Sequence, residues 1–241
     1  MKKQLLTLIL VATTITMNSQ SWWSSKKVKG NGKVTTETRT IDEFDKVSIG
    51  GSFDVELIAG KEGKITIEGE ENVIPYIETE VKGNKLKIQF KQNTNVRTTR
   101  RLLVTVPFED IESISLGGSG NVTVNKVIKA NEVALNLGGS GNIIAEVSAD
   151  QTKASIGGSG NIKLKGRSNN FKCSIAGSGS VKAYGLETEN LKASIAGSGS
   201  VQTTVNTKIK ASIVGSGSVY YKGNPKVDTS TIGSGDVIDK N

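Results

Sequence analysis

Apolar and polar positions alternate with a period of two along most of this chain, and that period predicts β-strands. Leu191, Ala193 and Ile195 take one side while Lys192 and Ser194 take the other, and Ala154-Ser155-Ile156 and Ala211-Ser212-Ile213 copy the pattern. Each such stretch runs into a Gly-Ser-Gly triplet, after which the alternation resumes, as in Ile162-Lys163-Leu164-Lys165 and Val181-Lys182-Ala183-Tyr184. The triplet occurs seven times, centred on Ser119, Ser140, Ser159, Ser178, Ser198, Ser216 and Ser234, with spacings of 21, 19, 19, 20, 18 and 18 residues. It is followed by Asn121, Asn142, Asn161, Ser180, Ser200, Ser218 or Asp236, and then always by Val or Ile.

Each repeat therefore reads as a strand of about five residues, a glycine corner, a second short strand and a variable return segment. A unit that small cannot bury its apolar side alone. Stacking successive units places Ile175 over Ile195 and Val181 over Val201, which builds a narrow continuous core. The predicted fold is all-β: a right-handed parallel β-helix, or solenoid, of about seven coils over residues 111–241. At the usual strand spacing of about 4.8 Å, seven coils would rise roughly 29 Å.

Glycine suits such a corner because it reaches positive φ without a side-chain penalty, yet each one costs roughly 0.5–1 kcal/mol in chain entropy. Ladders of side-chain hydrogen bonds along the axis are expected to offset that cost. The candidate ladder residues are the seven triplet serines together with Asn121, Asn142, Asn161, Ser180, Ser200 and Ser218.

Residues 34–110 lack the triplet apart from a degenerate copy, Ser48-Ile49-Gly50-Gly51-Ser52-Phe53-Asp54-Val55. They still read as β, with strands expected at 64–68, 78–81, 85–91 and 100–106, turns at 60–63 and 82–84, and one helical turn within 72–77 around Pro75. This irregular part is the expected N-terminal cap over an open strand edge. Residues 20–33, with Trp22 and Trp23, read as a loose lead. Residues 1–19 read as a secretory signal peptide: Lys2 and Lys3, an apolar run from Leu5 to Val11, then small polar residues. An uncleaved anchor would need about 20 apolar residues, so no integral membrane segment is expected after signal removal.

Composition narrows the chemistry. The 28 glycines against 3 prolines predict many turns and no collagen-like period, and the absence of histidine removes the commonest general base and metal ligand. Cys173 is the single cysteine, so an internal disulfide and a Cys-cluster zinc site are excluded, and it sits in the small core slot held elsewhere by Ala193 and Ala211. The formal net charge is +8, and residues 111–241 hold 14 basic and 9 acidic residues. The lysines look dispersed along the sequence and lack interleaved aromatics, so no nucleic-acid partner is expected; solubility, or an acidic surface polymer, is the alternative use.

The repeated Gly-Ser-Gly-Asn-Ile and Gly-Ser-Gly-Ser-Val units, the opening Phe44-Asp45-Lys46-Val47-Ser48-Ile49-Gly50 and the stretch from Glu68 to Ile77 resemble a family of exported bacterial proteins, the putative auto-transporter adhesin, head GIN domain family. The resemblance runs from about residue 35 to 240 and implies a right-handed β-helix-like fold and a surface or envelope setting. Only six residues follow Gly235, so the many strands of a C-terminal membrane barrel are not expected here.

Glycine-rich phosphate loops need a following Lys-Ser/Thr and helix, or a third glycine three residues on, and this chain has neither. The calcium β-roll repeat needs Asp where Ile162 stands. No cofactor or metal is therefore expected. Glycoside hydrolysis needs two facing carboxylates, for which the cluster Asp42, Glu43, Asp45 and Asp54 is the candidate. The expectation is a non-catalytic envelope or surface protein, adhesin-like, exported to the periplasm, the outer cell surface or the medium, and binding a glycan or a protein partner. A carbohydrate-active enzyme on a β-helix scaffold is the alternative, and self-association through solenoid ends is a third use.

Overall fold

In the computed structural model, which describes residues 25–241, the alternation becomes strands stacked coil upon coil. The segment read as a signal peptide, 1–19, and the pair Trp22 and Trp23 lie outside the described residues. The N-terminal part carries β1 (Lys26–Lys29), β2 (Val34–Thr40), β3 (Lys46–Gly51), β4 (Asp54–Ala59), β5 (Lys64–Glu70), β6 (Ile77–Val81), β7 (Lys85–Phe90), β8 (Thr94–Arg97) and β9 (Leu103–Phe108). The repeats carry β10 (Ser113–Gly118), β11 (Asn121–Gly139), β12 (Asn142–Gly158), β13 (Asn161–Gly177), β14 (Ser180–Gly197), β15 (Ser200–Gly215), β16 (Ser218–Lys222), β17 (Lys226–Gly233) and β18 (Asp236–Asp239). The helical turn expected around Pro75 is a 3-10 turn, Ile74–Tyr76.

All pairings from β10 onward are parallel, and on both sides of each corner they are in register, with shifts confined to the return segments, so chemically like residues stack. One core column runs Ile49, Leu116, Leu137, Ile156, Ile175, Ile195 and Ile213 before ending on Thr231. A second, past the corner, runs Val55, Val122, Ile143, Ile162, Val181, Val201, Val219 and Val237. Cys173 stacks between Ala154 and Ala193, and burial pushes its thiol up to about 12, which keeps it protonated and inert.

The return segment differs from the expectation. It is not a loop between two short strands; β11 to β15 each run 16 to 19 residues from one corner to the next. The reason is backbone hydrogen bonding: a buried return needs partners for its N–H and C=O groups, and the adjacent coil supplies them. β12 and β13 pair from Asn142–Asn161 to Gly158–Gly177 without a register shift. Two of the inward polar residues are satisfied locally: the Ser168 hydroxyl donates to the Asn170 carbonyl at 3.1 Å and the Thr188 hydroxyl to the Asn190 carbonyl at 3.3 Å, whereas the buried Thr152 and Thr203 hydroxyls have no partner among the described residues.

The two glycines of a triplet have different reasons. The first has positive φ, between 117° and 135° in the seven repeats. The second does not; it is small because the coil before it leaves no room. A Cβ on Gly199 would lie 2.6 Å from Ile175 Cγ2 and 2.8 Å from the Gly179 carbonyl oxygen. Around this corner the backbone ladder continues: the N–H groups of Ser140 and Gly141 both donate to the Gly118 carbonyl, at 3.0 and 3.1 Å.

The N-terminal part is wound into the same stack. β3 pairs with β10 and places Gly51 beside Gly118, so the degenerate copy at 48–55 occupies a corner of the solenoid. β7 adds a further parallel strand and β6 then pairs antiparallel with it; on the other side of the corner β9 follows β4, and β5 and β2 follow antiparallel. Reversing direction ends the parallel coil, which suits a cap. The lead, 20–33, is not wholly loose: β1 pairs parallel with β8.

Glu70 ties these pieces together. Its side chain is 1% exposed and accepts from the Gly32 N–H at 2.6 Å, the Thr99 N–H at 2.8 Å and the Thr99 hydroxyl at 2.6 Å. Burial by itself would raise its pKa, but these hydrogen bonds outweigh it and pull the carboxyl down to about 2.

Because the folded pKa of Glu70 lies below the ordinary 4.5, its contribution is complete above about pH 4.5 and is lost as the pH falls toward 2. Urea titrations between pH 2 and 7 should show Glu70→Gln less stable than wild type at pH 7, with the gap shrinking below pH 4.5. Gly199→Ala should destabilise by about 1–3 kcal/mol through overpacking. Gly157→Ala meets nothing within 4 Å, matches Ala176 in the next coil, and should shift stability by less than about 0.5 kcal/mol in the same assay.

Candidate functional site

Parallel register acts on the outside as it does in the core, repeating each outward side chain along the axis. Past the corner, the Asn121 amide donates to Asp54 at 2.8 Å, Asn142 to Asn121 at 2.7 Å, and Asn161 to Asn142 at 3.0 Å. Two coils on, the Ser200 hydroxyl donates to Ser180 at 3.0 Å. Asparagine serves this position because its amide donates and its carbonyl accepts, so each link satisfies both neighbours. The triplet serines, Ser119, Ser140, Ser159, Ser178, Ser198, Ser216 and Ser234, lie on the exposed corner ridge and engage the neighbouring coil through backbone N–H groups. The chain of side-chain bonds runs through the residue after the triplet.

The asparagine ladder lines a groove of about 410 Å³, whose other wall carries Thr123, Ile144, Lys163 and Lys182. Arg101 closes one end, its guanidinium 3.3 Å from Asp54 and 3.2 Å from Glu56. Sequence reasoning missed Arg101, which precedes β9 and reaches the groove only because β9 lies beside β4. The groove is mixed in charge, with the acids and arginine toward the cap and the lysines toward the repeats, and much of its lining is apolar. It offers amide donors and acceptors at fixed spacing beside one exposed aliphatic side chain, Ile144.

The acidic cluster is split: Glu43 and Asp45 line a small pocket with Glu62, Glu109 and Asp110, and Asp54 lies apart in the groove. Asp54 accepts from Arg101 and Asn121 in the groove, while Asp45 accepts from the Asn84 amide at 3.0 Å at the β6–β7 turn. Where carboxyl pKa values are displaced, at Glu70, Glu132 and Glu189, they move down, whereas a general acid needs one raised. Among the described residues no group of three or more His, Cys, Asp or Glu side chains is placed to hold a metal ion.

The face before the corner corrects the reading of dispersed lysines. Lys153, Lys172, Lys192 and Lys210 stack in register in one column, with Ser155, Ser174, Ser194 and Ser212 in the next. The visible signal was the recurrent Lys-Ala/Cys-Ser-Ile tetrad, whose first residue has the repeat's own period.

Parallel coils displaying amide, hydroxyl and ammonium groups in fixed register define a repeat scaffold with two chemically distinct faces. The chain belongs to the family described as putative auto-transporter adhesin, head GIN domain, which matches residues 43–225. No curated protein matches it. Among solved structures, a putative adhesin from Bacteroides fragilis superposes with a TM-score of 0.83 at 23% identity, covering 88% of this chain and 100% of that one. A putative adhesin from Parabacteroides merdae gives 0.73 at 28%, covering 90% and 100%. A structure named putative lipid binding protein, from Parabacteroides distasonis, gives 0.77 at 28%, again covering 90% and 100%. No helix among the described residues is long and apolar enough to cross a membrane.

Asn142 is the middle of the three-asparagine run. Asn142→Ala removes one accepted and one donated bond and should lower stability by about 1 kcal/mol in thermal or urea unfolding, and Asn142→Ser, which keeps a hydroxyl, by less.

Proposed function

We propose that this chain is an exported, non-catalytic, adhesin-like protein of the bacterial envelope or surface, which binds a glycan in the groove lined by Asn121, Asn142 and Asn161. The observation that carries this reading is the ladder itself. A rigid row of amides repeats at the strand spacing and presents donors and acceptors to a linear ligand without having to order a loop on binding, which keeps the entropic cost of association low. Family membership supports an adhesin-like role, and the basic, apolar and small-polar order of residues 1–19 supports export. The Asp54–Arg101 pair ends the groove with a charged group able to bond sugar hydroxyls, while both acids there are engaged and so poorly disposed to act as a general acid.

A glycan array probed with the mature chain, together with a reducing-end assay on each glycan it retains, tests this. Binding without product is expected, and it should weaken at least tenfold in the double change Asn142→Ala, Asn161→Ala. Product formation that disappears with Asp54→Asn or Glu56→Gln would instead establish the enzyme reading.

A further inference from the structure

The lysine column lies on the other side of the corner from the asparagine groove and has its own chemistry. In a parallel sheet, like charges directly opposite one another destabilise the pairing. Here Lys172, Lys192 and Lys210 occupy successive coils, about 4.8 Å apart along the axis, and Lys208 stands two residues before Lys210 on the same face, beside Lys226 of the next coil. Acids stand at its two ends, and Glu189, next to Asn190, is engaged by the Asn206 amide at 3.2 Å and the Thr207 hydroxyl at 2.7 Å. Glu132 meets Lys153 at 2.6 Å, and Asp228 follows Lys210 in the last coil. Lys172, Lys192, Lys208 and Lys210 have no carboxylate within ion-pair distance among the described residues, although the serine column beside them shows that an uncharged residue fits an outward position in each of these coils.

Between the lysines lies a depression of about 220 Å³, lined by Asn170, Asn190 and the side chains of the four lysines and floored by Phe171 and Leu191; the Asn190 amide donates to Asn170 at 3.4 Å. It supplies amide hydrogen bonds at the centre of the charge row. We propose that this face binds a linear polyanionic polysaccharide, carboxylated or sulfated, laid along the solenoid axis. Its anionic groups meet successive ammonium groups while sugar hydroxyls bond Asn170 and Asn190. The axis-parallel row suits an extended polymer, and its release of counterions supplies a salt-dependent driving force. A single-stranded nucleic acid would also want aromatic side chains for its bases to stack on, and the only aromatic ring at the depression, Phe171, is buried in the floor. The site is independent of the groove, so either can bind when the other does not.

The experiment uses the mature chain, polygalacturonate, dextran sulfate, neutral dextran, a 30-base-pair DNA duplex and phosphatidylglycerol vesicles, with affinity measured by calorimetry or interferometry at 50 and 200 mM NaCl. Both acidic polysaccharides should bind, neutral dextran should not, and affinity should fall at least tenfold between the two salt concentrations. The triple change Lys172→Thr, Lys192→Thr, Lys210→Thr should weaken polysaccharide binding at least tenfold. A charge-matched control at exposed Lys27, Lys82 and Lys91, also to Thr, should change it less than threefold. Circular dichroism and the thermal midpoint keep a folding defect from passing as lost binding: in 50 mM NaCl the ladder triple should melt no lower than wild type, because a row of like charges has been removed. Equal loss in both triples would reduce the effect to bulk charge and overturn the proposal. So would duplex DNA or vesicles binding tenfold more tightly than either acidic polysaccharide.

Discussion

The structure depends on a corner that cannot tolerate a side chain. Where the chain turns between the two sides of each coil, the first glycine of the triplet takes a φ that other residues resist, and the second lies against both a carbonyl oxygen and a branched side chain of the coil before it. That contact works in both directions. Ile156, Ile175, Ile195 and Ile213 fill the space beside Gly179, Gly199, Gly217 and Gly235 in the following coils, so the isoleucine column and the glycine column define each other. Once the corners are stacked, the coils cannot slip by one residue, because a slip would turn every core side chain outward.

Register fixed at the corner decides the outside as well. A residue type that recurs at one repeat position becomes a row, whether asparagine past the corner or lysine before it, and a row has properties that a single side chain lacks. Amides in a row bond one another and rigidify the groove wall. Ammonium groups in a row repel one another and leave a face that favours an anionic partner. The two faces share one scaffold and lie on opposite sides of the corner.

The N-terminal part shows how such a stack is closed. β3 and β4 keep the coil geometry, including a positive φ at Gly51, and the antiparallel strands β2, β5 and β6 then depart from it. Glu70 holds the outer pieces by hydrogen bonds to backbone and hydroxyl rather than by apolar packing, which explains a buried carboxylate with no ion-pair partner among the described residues. The other end is finished by composition. The last coil places Thr229 and Thr231 where earlier coils have Ala211 and Ile213, so two of the side chains left uncovered there carry hydroxyls, while Val227 beside them stays partly exposed.

The repeat, its period, the stacked core columns and the corner were all legible in the residues, because each rests on a local pattern repeated at a fixed interval. The degenerate copy at 48–55 was visible for the same reason. Other features depended on the fold. The return segment looked irregular in sequence and became strand because the neighbouring coil offers its backbone partners. Arg101 reached the groove because β9 is laid beside β4, out of chain order. Lysines about twenty residues apart became neighbours because the coil length equals their spacing. Periodicity decides what repeats, whereas only the three-dimensional stack decides which repeated groups meet, since that depends on distances across coils rather than along the chain.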